Sequence, residues 1–288
     1  MMSRLGIWLM QRSAVLPLRW VRAIGWLLGH LLYLLIGSRR HVVETNLRLC
    51  FPAMAVRERR ALARRTFVAF GQSWMDRGWL WHAPPAVVAR RLNLVGAVEE
   101  LEGDAPTILF GPHFYGLDAA ATAIAIRVPR RYTSIYTQQA DPAVDEWIKA
   151  GRLRFGDCRV FSRATGIKEI VASLRAGDVF YLLPDMDFGA ADSVFVPFFG
   201  VSAATLPSVP RFARLGRAKI ITVLPRLTPQ GYTVELLPAW KDFPGADATE
   251  DTALMNRRLE GYIDRMPEQY YWVHKRFKTR PEGEPSVY

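Results

Sequence analysis

His113 and Asp118 are the residues of this sequence best placed to do chemistry together. His113 follows the strand-like run 107–111, and side chains just beyond a strand face the ligand crevice of an open α/β sheet. If Asp118 lies in the first turn of the next helix, its carboxylate accepts the imidazole N–H and raises the basicity of the other ring nitrogen. The spacing therefore predicts a general base and its orienting carboxylate, the combination used in acyl transfer.

The other reactive side chains suggest no competing mechanism. The two cysteines, Cys50 and Cys158, match no metal-ligand spacing, and a Gly-x-Ser-x-Gly motif is absent from the sequence. We therefore expect two free thiols in a reduced compartment and no metal site. We also expect no Ser or Cys nucleophile.

The elements that position these residues follow an alternating pattern. β-like and helix-like stretches succeed one another from residue 107 onward, which predicts an α/β fold with a central mixed sheet flanked by helices. The predicted strands are 107–111, 133–137, 179–183, 219–224 and 232–237, and the predicted helices are 54–82, 117–126, 141–155, 165–176 and 249–266. We expect one catalytic domain, 41–288, behind an N-terminal segment, 1–40.

The positive charge of the chain is concentrated in that N-terminal region. Twelve Arg and two Glu lie in residues 1–65, which supplies +10 of the formal net charge of +11. The arginines alternate with Trp and Leu and flank an uncharged run, 23–38. Trp20, Trp26 and Tyr33 suit a lipid headgroup boundary. Residues 1–40 are therefore predicted to form a membrane-associated helical anchor.

The way in which this anchor meets the membrane stays open. A spanning helix needs about 20 apolar residues, so both a short span and a helix lying in the interface fit the uncharged run. An apolar core helix with solvated arginines is a further alternative. Nucleic-acid binding is disfavoured, because the charge lies among Trp and Leu and no zinc-finger or helix-turn-helix pattern accompanies it.

Residues 111–118 (GPHFYGLD) resemble the His-x4-Asp/Glu motif of the lysophospholipid acyltransferase superfamily. The chain is most similar to its branch of lipid A late acyltransferases, the lauroyl and myristoyl transferases, with a glycerolipid acyltransferase-like fold. Further segments match that branch in order along the chain: 46–52 (NLRLCFP), 151–155 (GRLRF), 183–189 (LPDMDFG), 194–200 (VFVPFFG), 267–272 (PEQYYW) and 275–281 (KRFKTRP).

This resemblance implies site residues and substrates. His113 would be the general base and Asp118 its partner, and four positions would bind substrate: Arg152, Asp185, Arg163 and Asp187. Arginine suits a phosphate, which both a phosphopantetheine donor and a phosphorylated glycolipid acceptor carry. The implied donor is an acyl carrier protein thioester, with no cofactor. The implied acceptor is a lipid A precursor at the cytoplasmic face of a Gram-negative inner membrane.

Two departures from the pattern of that branch leave the identity of the acceptor open. Asp118 stands where most of that branch carry Glu, and the segment 136–142 lacks an Arg after Tyr136 and has Asp141 in place of Asn. Acylation of another glycolipid or an aminolipid is therefore an alternative. A catalytically silent membrane lipid-binding protein is a second, against which the presence of both His113 and Asp118 argues. The basic tail, which includes Lys275 and Arg276, is expected to face headgroups or an acidic carrier protein, or to be solvated.

Overall fold

The computed structural model describes residues 2–162 and 165–288. In this part of the chain the strands are β1 (Leu92–Gly96), β2 (Thr107–Phe110), β3 (Arg131–Tyr136), β4 (Asp157–Ser162), β5 (Val179–Leu182), β6 (Val194–Phe198), β7 (Val201–Thr205), β8 (Lys219–Thr228) and β9 (Gly231–Leu236). Seven of them form one sheet in the order β1-β9-β8-β2-β5-β3-β4, and β6 and β7 form a separate antiparallel hairpin.

Helices flank this sheet. They are α1 (Met2–Ser13), α2 (Leu18–Leu35), α3 (Gly37–Cys50), α4 (Val56–His82), α5 (Pro85–Arg90), α6 (Leu117–Arg127), α7 (Pro142–Arg152), α8 (Ile167–Arg175), α9 (Ser208–Gly216) and α10 (Ala248–Asp264). One-turn 3-10 helices lie at Val98–Leu101 and Pro267–Gln269. The predicted fold class, a mixed sheet flanked by helices, is confirmed.

The sequence misses two strands of the sheet, β1 and β4. Both lie at its edges, and most of their side chains are exposed or only partly buried. Short edge strands of this kind lack the continuous apolar run that identifies a central strand. The five strands that the sequence predicts, β2, β3, β5, β8 and β9, match within a few residues at each end.

Strands β2 and β5 form the centre of the sheet and carry the residues of interest at their carboxyl ends. All four side chains of each strand are buried, as expected for a parallel strand covered on both faces. They pair in parallel with Phe110 opposite Leu182, and the Gly111 N–H extends the ladder to the Leu182 carbonyl at 2.9 Å. The loops that follow the two strands therefore emerge side by side.

The N-terminal helix α2 packs along α4 through closely approaching glycines. A Cβ on Gly71 would lie 2.3 Å from the Gly25 carbonyl oxygen, and one on Gly29 would lie 2.5 Å from the Phe67 carbonyl oxygen. Buried Arg22 ties this crossing to the sheet, because it pairs with Asp76 at 3.0 Å and donates to the backbone carbonyl of Gly231, the first residue of β9. The boundary predicted at residue 40 stays a prediction.

The opposite side of α2 is apolar and exposed to solvent. Its exposed side chains are Trp20, Ile24, Trp26, Leu27, Leu31, Leu34 and Leu35. Among the helices of the described residues, none is by itself long and apolar enough to cross a membrane. Helices α2 and α3, which meet at an angle of 91°, satisfy the length and composition criteria together as a bent pair.

Candidate active site

The imidazole of His113 is held by Asp185, at the ends of the two central strands. Each residue lies three positions beyond its strand, so the register of β2 and β5 places them opposite each other. The Asp185 Oδ1 atom lies 2.7 Å from the His113 Nδ1, and Oδ2 accepts the backbone N–H of His113 at 3.0 Å. With Nδ1–H donated to Asp185, Nε2 is the nitrogen left to accept a proton.

The charge of Asp185 is stabilised inside the protein. Burial by itself would raise the pKa of this carboxyl, which is 1% exposed. Attraction to the protonated form of His113 and the hydrogen bonds from His113 and Tyr270 outweigh that effect and hold the pKa of Asp185 below its usual value. Asp185 is therefore an anionic partner for the imidazole.

Asp118 binds two arginines instead of the imidazole. Its Oδ1 accepts the Arg152 Nε–H at 2.8 Å, and its Oδ2 accepts from Arg77 Nε and Nη2 at 3.1 and 2.8 Å. The expected hydrogen bond from His113 thus goes to Asp185, because the first turn of α6 directs the Asp118 side chain toward α4 and α7. A catalytic role for Asp118 stays a prediction.

Arg77 is a site residue that the sequence analysis misses. Its guanidinium lies over the rings of Trp74 and Trp81, at 4.6 and 5.4 Å from their centroids. Trp74, Arg77 and Trp81 recur at helical spacing on α4, and an arginine between two tryptophans was the available signal. Burial would raise the pKa of Asp118, but the charges of Arg152 and Arg77 and their hydrogen bonds bring it below its usual value.

Arg152 ends α7 and reaches into the site. It is not a freely solvated helix residue, because its Nε is bound to Asp118 and its guanidinium lies 5.7 Å from the centroid of the Tyr136 ring. The side chain is 34% exposed, and its two terminal nitrogens have no hydrogen-bond partner among residues 2–162 and 165–288. Arg152 therefore presents positive charge and free N–H donors to the surface of the site.

Tyr181 in β5 links the surroundings of the two carboxylates, since its hydroxyl lies 3.5 Å from the carbonyl oxygen of Leu117, the residue before Asp118. The Asp118 and Asp185 charges raise the pKa of this β5 phenol beyond the increase that burial alone produces, and Arg152 opposes them. Gly111 is needed beside it, because a Cβ there would lie 2.5 Å from the Tyr181 ring. Tyr181 therefore contacts both the start of the loop that carries His113 and the start of the helix that carries Asp118.

Asp187 does not join this group. Asp187 accepts the backbone N–H and hydroxyl of Thr279 at 2.7 and 2.8 Å, and its own N–H donates to His274 Nε2 at 2.9 Å. Burial lowers the pKa of His274 to about 4, so this imidazole is a neutral acceptor. Asp187 thus fastens the C-terminal segment. Arg163 lies outside the described residues.

The C-terminal segment supports the loop that carries His113. The Tyr271 N–H donates to the His113 carbonyl, and the Tyr115 N–H donates to the Gln269 carbonyl, both at 2.9 Å. Asn46 in α3 donates to the Trp272 and His274 carbonyls at 2.8 Å each, which joins two segments that the resemblance had marked separately.

The expectation for the basic tail is wrong at Arg276. It is 2% exposed and donates to the Ala204 carbonyl and the Thr205 hydroxyl at 2.8 and 2.7 Å. This residue therefore faces neither headgroups nor a carrier protein, because the tail folds back against β7. Lys275 and Lys278 are exposed.

Taken together, the arrangement can support base-assisted group transfer to a hydroxyl. The loop after β2 carries a ring nitrogen left to accept a proton, and the helix that follows this loop binds a guanidinium with free donors, in a protein whose N-terminal helices expose a large apolar face.

Comparison with known proteins identifies the family. Residues 1–279 match the family described as bacterial lipid A biosynthesis acyltransferase. The chain is 34% identical to the lipid A biosynthesis lauroyltransferase of Escherichia coli (strain K12), over 99% of this chain and 94% of the relative. It is 30% identical to the lipid A biosynthesis myristoyltransferase of the same strain, over 99% of this chain and 89% of that relative. It is 29% identical to the lipid A biosynthesis palmitoleoyltransferase of that strain, over 92% of this chain and 87% of that relative.

This chain therefore belongs to the bacterial lipid A biosynthesis acyltransferases, and the family predicted from its motifs is confirmed. It is an acyltransferase of lipid A biosynthesis. The three relatives carry names that specify three different acyl groups at similar identity, so family membership does not select the acyl chain.

Proposed function

We propose that this protein transfers a fatty acyl group from an acyl carrier protein thioester to a hydroxyl of a lipid A precursor, with His113 as general base. The observation that supports this most strongly is the His113–Asp185 pair, in which Nδ1 is occupied by a buried carboxylate and Nε2 is left to accept a proton. The family supports the acyl group and the lipid A pathway.

The reaction proceeds by direct transfer. The Nε2 atom removes the proton from the acceptor hydroxyl, whose oxygen attacks the thioester carbonyl carbon. The resulting oxyanion is stabilised by positive charge, for which the free Arg152 nitrogens are candidates. The C–S bond then breaks, and the imidazolium returns its proton to the thiolate. An ester and a free carrier thiol leave the site.

Asp185 and Asp118 have different roles in this scheme. Asp185 fixes the tautomer of His113 and stabilises the imidazolium that forms during the reaction. Asp118 holds Arg77 and Arg152 in place, so that their charge faces the substrate without any rearrangement. Its part in catalysis is therefore exerted through the two arginines.

We further propose that the protein lies on the cytoplasmic face of the inner membrane with α2 in the interface. The apolar residues of α2 form one exposed face, while its opposite face is occupied by α4. Exposed Arg4, Arg12 and Arg19 border this surface, where they would meet anionic headgroups.

A reconstituted transfer assay tests the reaction. Purified protein in detergent micelles, given acyl carrier protein thioester and a lipid A precursor, should yield the acylated lipid by mass spectrometry. His113→Ala should lower kcat by at least about 10²-fold, the usual scale for a lost general base. His41→Ala, on the exposed side of α3, is the control and should match the parent.

The alternatives give different products. If the protein acylates an aminolipid or another glycolipid but not the lipid A precursor, the acceptor belongs to that other class of lipid. A parent protein that binds lipid but acylates none of these acceptors would be the silent lipid-binding protein. Near-normal transfer by His113→Ala would refute the mechanism.

Surface substitutions on α2 test the membrane orientation. Deleting residues 1–40 would also remove Arg22 and leave buried Asp76 unpaired, so it confounds binding with folding. Leu31→Asp with Leu35→Asp should lower the fraction of protein that floats with anionic vesicles. Leu215→Asp, exposed on α9, is the control and should float like the parent. Equal flotation of all three proteins would place the contact surface elsewhere.

A further inference from the structure

An open cleft lies between α2, α4 and the 3-10 turn Pro267–Gln269, and it includes neither His113 nor Asp118, Asp185 or Arg152. It encloses about 700 Å³, including its mouth. Trp26 and His30 form one wall, Arg64 and Arg65 form another, and Glu268 lies at the third side. The cleft combines an aromatic wall with cationic and anionic groups.

The two arginines supply most of the charge in the cleft. Arg64 and Arg65 are exposed, and neither pairs with a carboxylate anywhere in residues 2–162 and 165–288. An arginine pair of this kind suits a phosphate, which accepts several charge-assisted hydrogen bonds. Glu268 and the amide of Gln72 add acceptors and donors that fit hydroxyl groups. A phosphorylated sugar presents both kinds of group.

The walls of the cleft are fixed before any ligand arrives. The glycine contacts described above set the distance between α2 and α4, and Gln72 Nε2 donates across that crossing to the Arg22 carbonyl at 3.3 Å. On the third side, the Leu227 N–H donates to Gln269 Oε1 at 2.8 Å. A site that keeps its shape loses little entropy on binding.

The cleft borders both the apolar surface of α2 and the segment that supports the loop of the general base. Trp26 at its edge is 52% exposed and belongs to the apolar face of α2. At the other end, the carbonyl of Gln269 accepts the N–H of Tyr115, two residues beyond His113. A lipid whose acyl chains lie along α2 could therefore extend its headgroup through the cleft toward His113.

We propose that this cleft binds the phosphorylated sugar headgroup of the acceptor lipid, with Arg64 and Arg65 on a phosphate and Glu268 on sugar hydroxyls. The inference rests on the proposed function, because it assigns the cleft to the acceptor of that reaction. A bulk anionic phospholipid offers the same phosphate without the sugar, and the experiment separates the two sources.

The test compares two double variants on one helix. Arg64→Gln with Arg65→Gln removes the two cleft charges. Arg57→Gln with Arg60→Gln removes two exposed charges of α4 that do not line the cleft, and it is the matched control. Each protein is assayed with saturating acyl carrier protein thioester against the phosphorylated acceptor and its dephosphorylated form. Flotation with phosphatidylglycerol vesicles is measured in parallel.

We expect the cleft variant to raise KM for the phosphorylated acceptor by about tenfold or more, the scale of one lost charge-assisted hydrogen bond. Its KM for the carrier thioester, its activity on the dephosphorylated acceptor and its flotation should match those of the control variant. Circular dichroism should show both variants folded.

Three results of the KM and flotation measurements would overturn the inference. An unchanged KM in the cleft variant would mean that the arginines do not bind the acceptor. Equal increases in both variants, or selective loss of flotation by the cleft variant, would assign the charges to bulk anionic lipid. If the parent acylates no lipid, the proposed function fails by itself. In that case, direct binding of the cleft and control variants to vesicles containing the phosphorylated glycolipid tests whether the cleft binds the headgroup. Equal binding by the two variants would refute the inference.

Discussion

Two buried carboxylates lie in one site and have different surroundings. Asp185 binds a histidine and a tyrosine at the end of β5, whereas Asp118 binds two arginines at the start of α6. Both have a lowered pKa, but the cause differs: for Asp185 the lowering comes from His113 and its hydrogen bonds, and for Asp118 from Arg152 and Arg77. The environment of each carboxylate, more than its place in a motif, therefore indicates what it does.

The difference predicts that Asp185 acts mainly on the chemical step and Asp118 mainly on stability and substrate placement. A partner that fixes a tautomer matters when the proton moves. A carboxylate between two guanidinium groups matters in every state, because its removal leaves two charges unpaired.

The largest effect should come from Asp185→Asn. An amide at this position favours the wrong tautomer of His113, so kcat should fall by about 10³- to 10⁴-fold while the fold is retained. Steady-state kinetics and thermal melting measure the two quantities. Asp264→Asn, exposed on α10, is the control. If Asp185→Asn kept kcat within tenfold of the parent, the pairing of His113 with Asp185 would have no catalytic importance.

Asp118→Asn should give the largest loss of stability. Breaking a buried charge pair costs about 3–5 kcal/mol, and we expect about 3 kcal/mol here because the Arg152 side chain is 34% exposed. Urea unfolding in detergent measures the free energy of unfolding of Asp118→Asn and of Asp185→Asn. The loss of stability should be smaller in Asp185→Asn. Equal losses in the two variants would remove the distinction between the carboxylates.

Arg152→Lys should have a smaller effect, confined to one substrate. Lysine cannot keep the Nε–H bond to Asp118 and also present two planar donors, so KM for the phosphorylated partner should rise about tenfold. An increase for the lipid alone would assign Arg152 to the acceptor, and an increase for the carrier thioester alone would assign it to phosphopantetheine. Arg127→Lys, exposed on α6, is the control. Parent-like kinetics of both Arg152→Lys and Arg152→Ala would exclude a substrate contact.

The smallest effect concerns acid stability. Because the pKa of Asp118 is lowered in the folded protein, its contribution to stability is present above the ordinary carboxyl pKa and is lost as pH falls through the folded value. Below about pH 4, the free energy of unfolding should therefore fall more steeply in the parent than in Asp118→Asn. Parallel pH profiles for the two proteins would show that the arginines do not stabilise the ionised form.

The sequence by itself determined the central strands and the long helices of the fold, and it marked most members of the candidate site. Continuous apolar runs identified the central strands β2 and β5, and the motifs marked His113, Asp118, Arg152 and Asp185. These features are local, since a strand or a helix depends on the pattern of its own residues. The edge strands were missed because their half-exposed residues carry little of that pattern.

Only the tertiary structure decided which of these residues meet. His113 and Asp185 are 72 residues apart, and they pair because β2 and β5 are neighbours in register, which depends on the burial of the whole sheet. The tertiary structure also decided which charged side chains are buried. Arg22 and Arg276 look like other basic residues in the sequence, yet both are buried, because carboxylate or carbonyl partners from distant segments reach them. A pattern gives the type and spacing of residues, but the partner of a buried charge depends on contacts between distant parts of the chain.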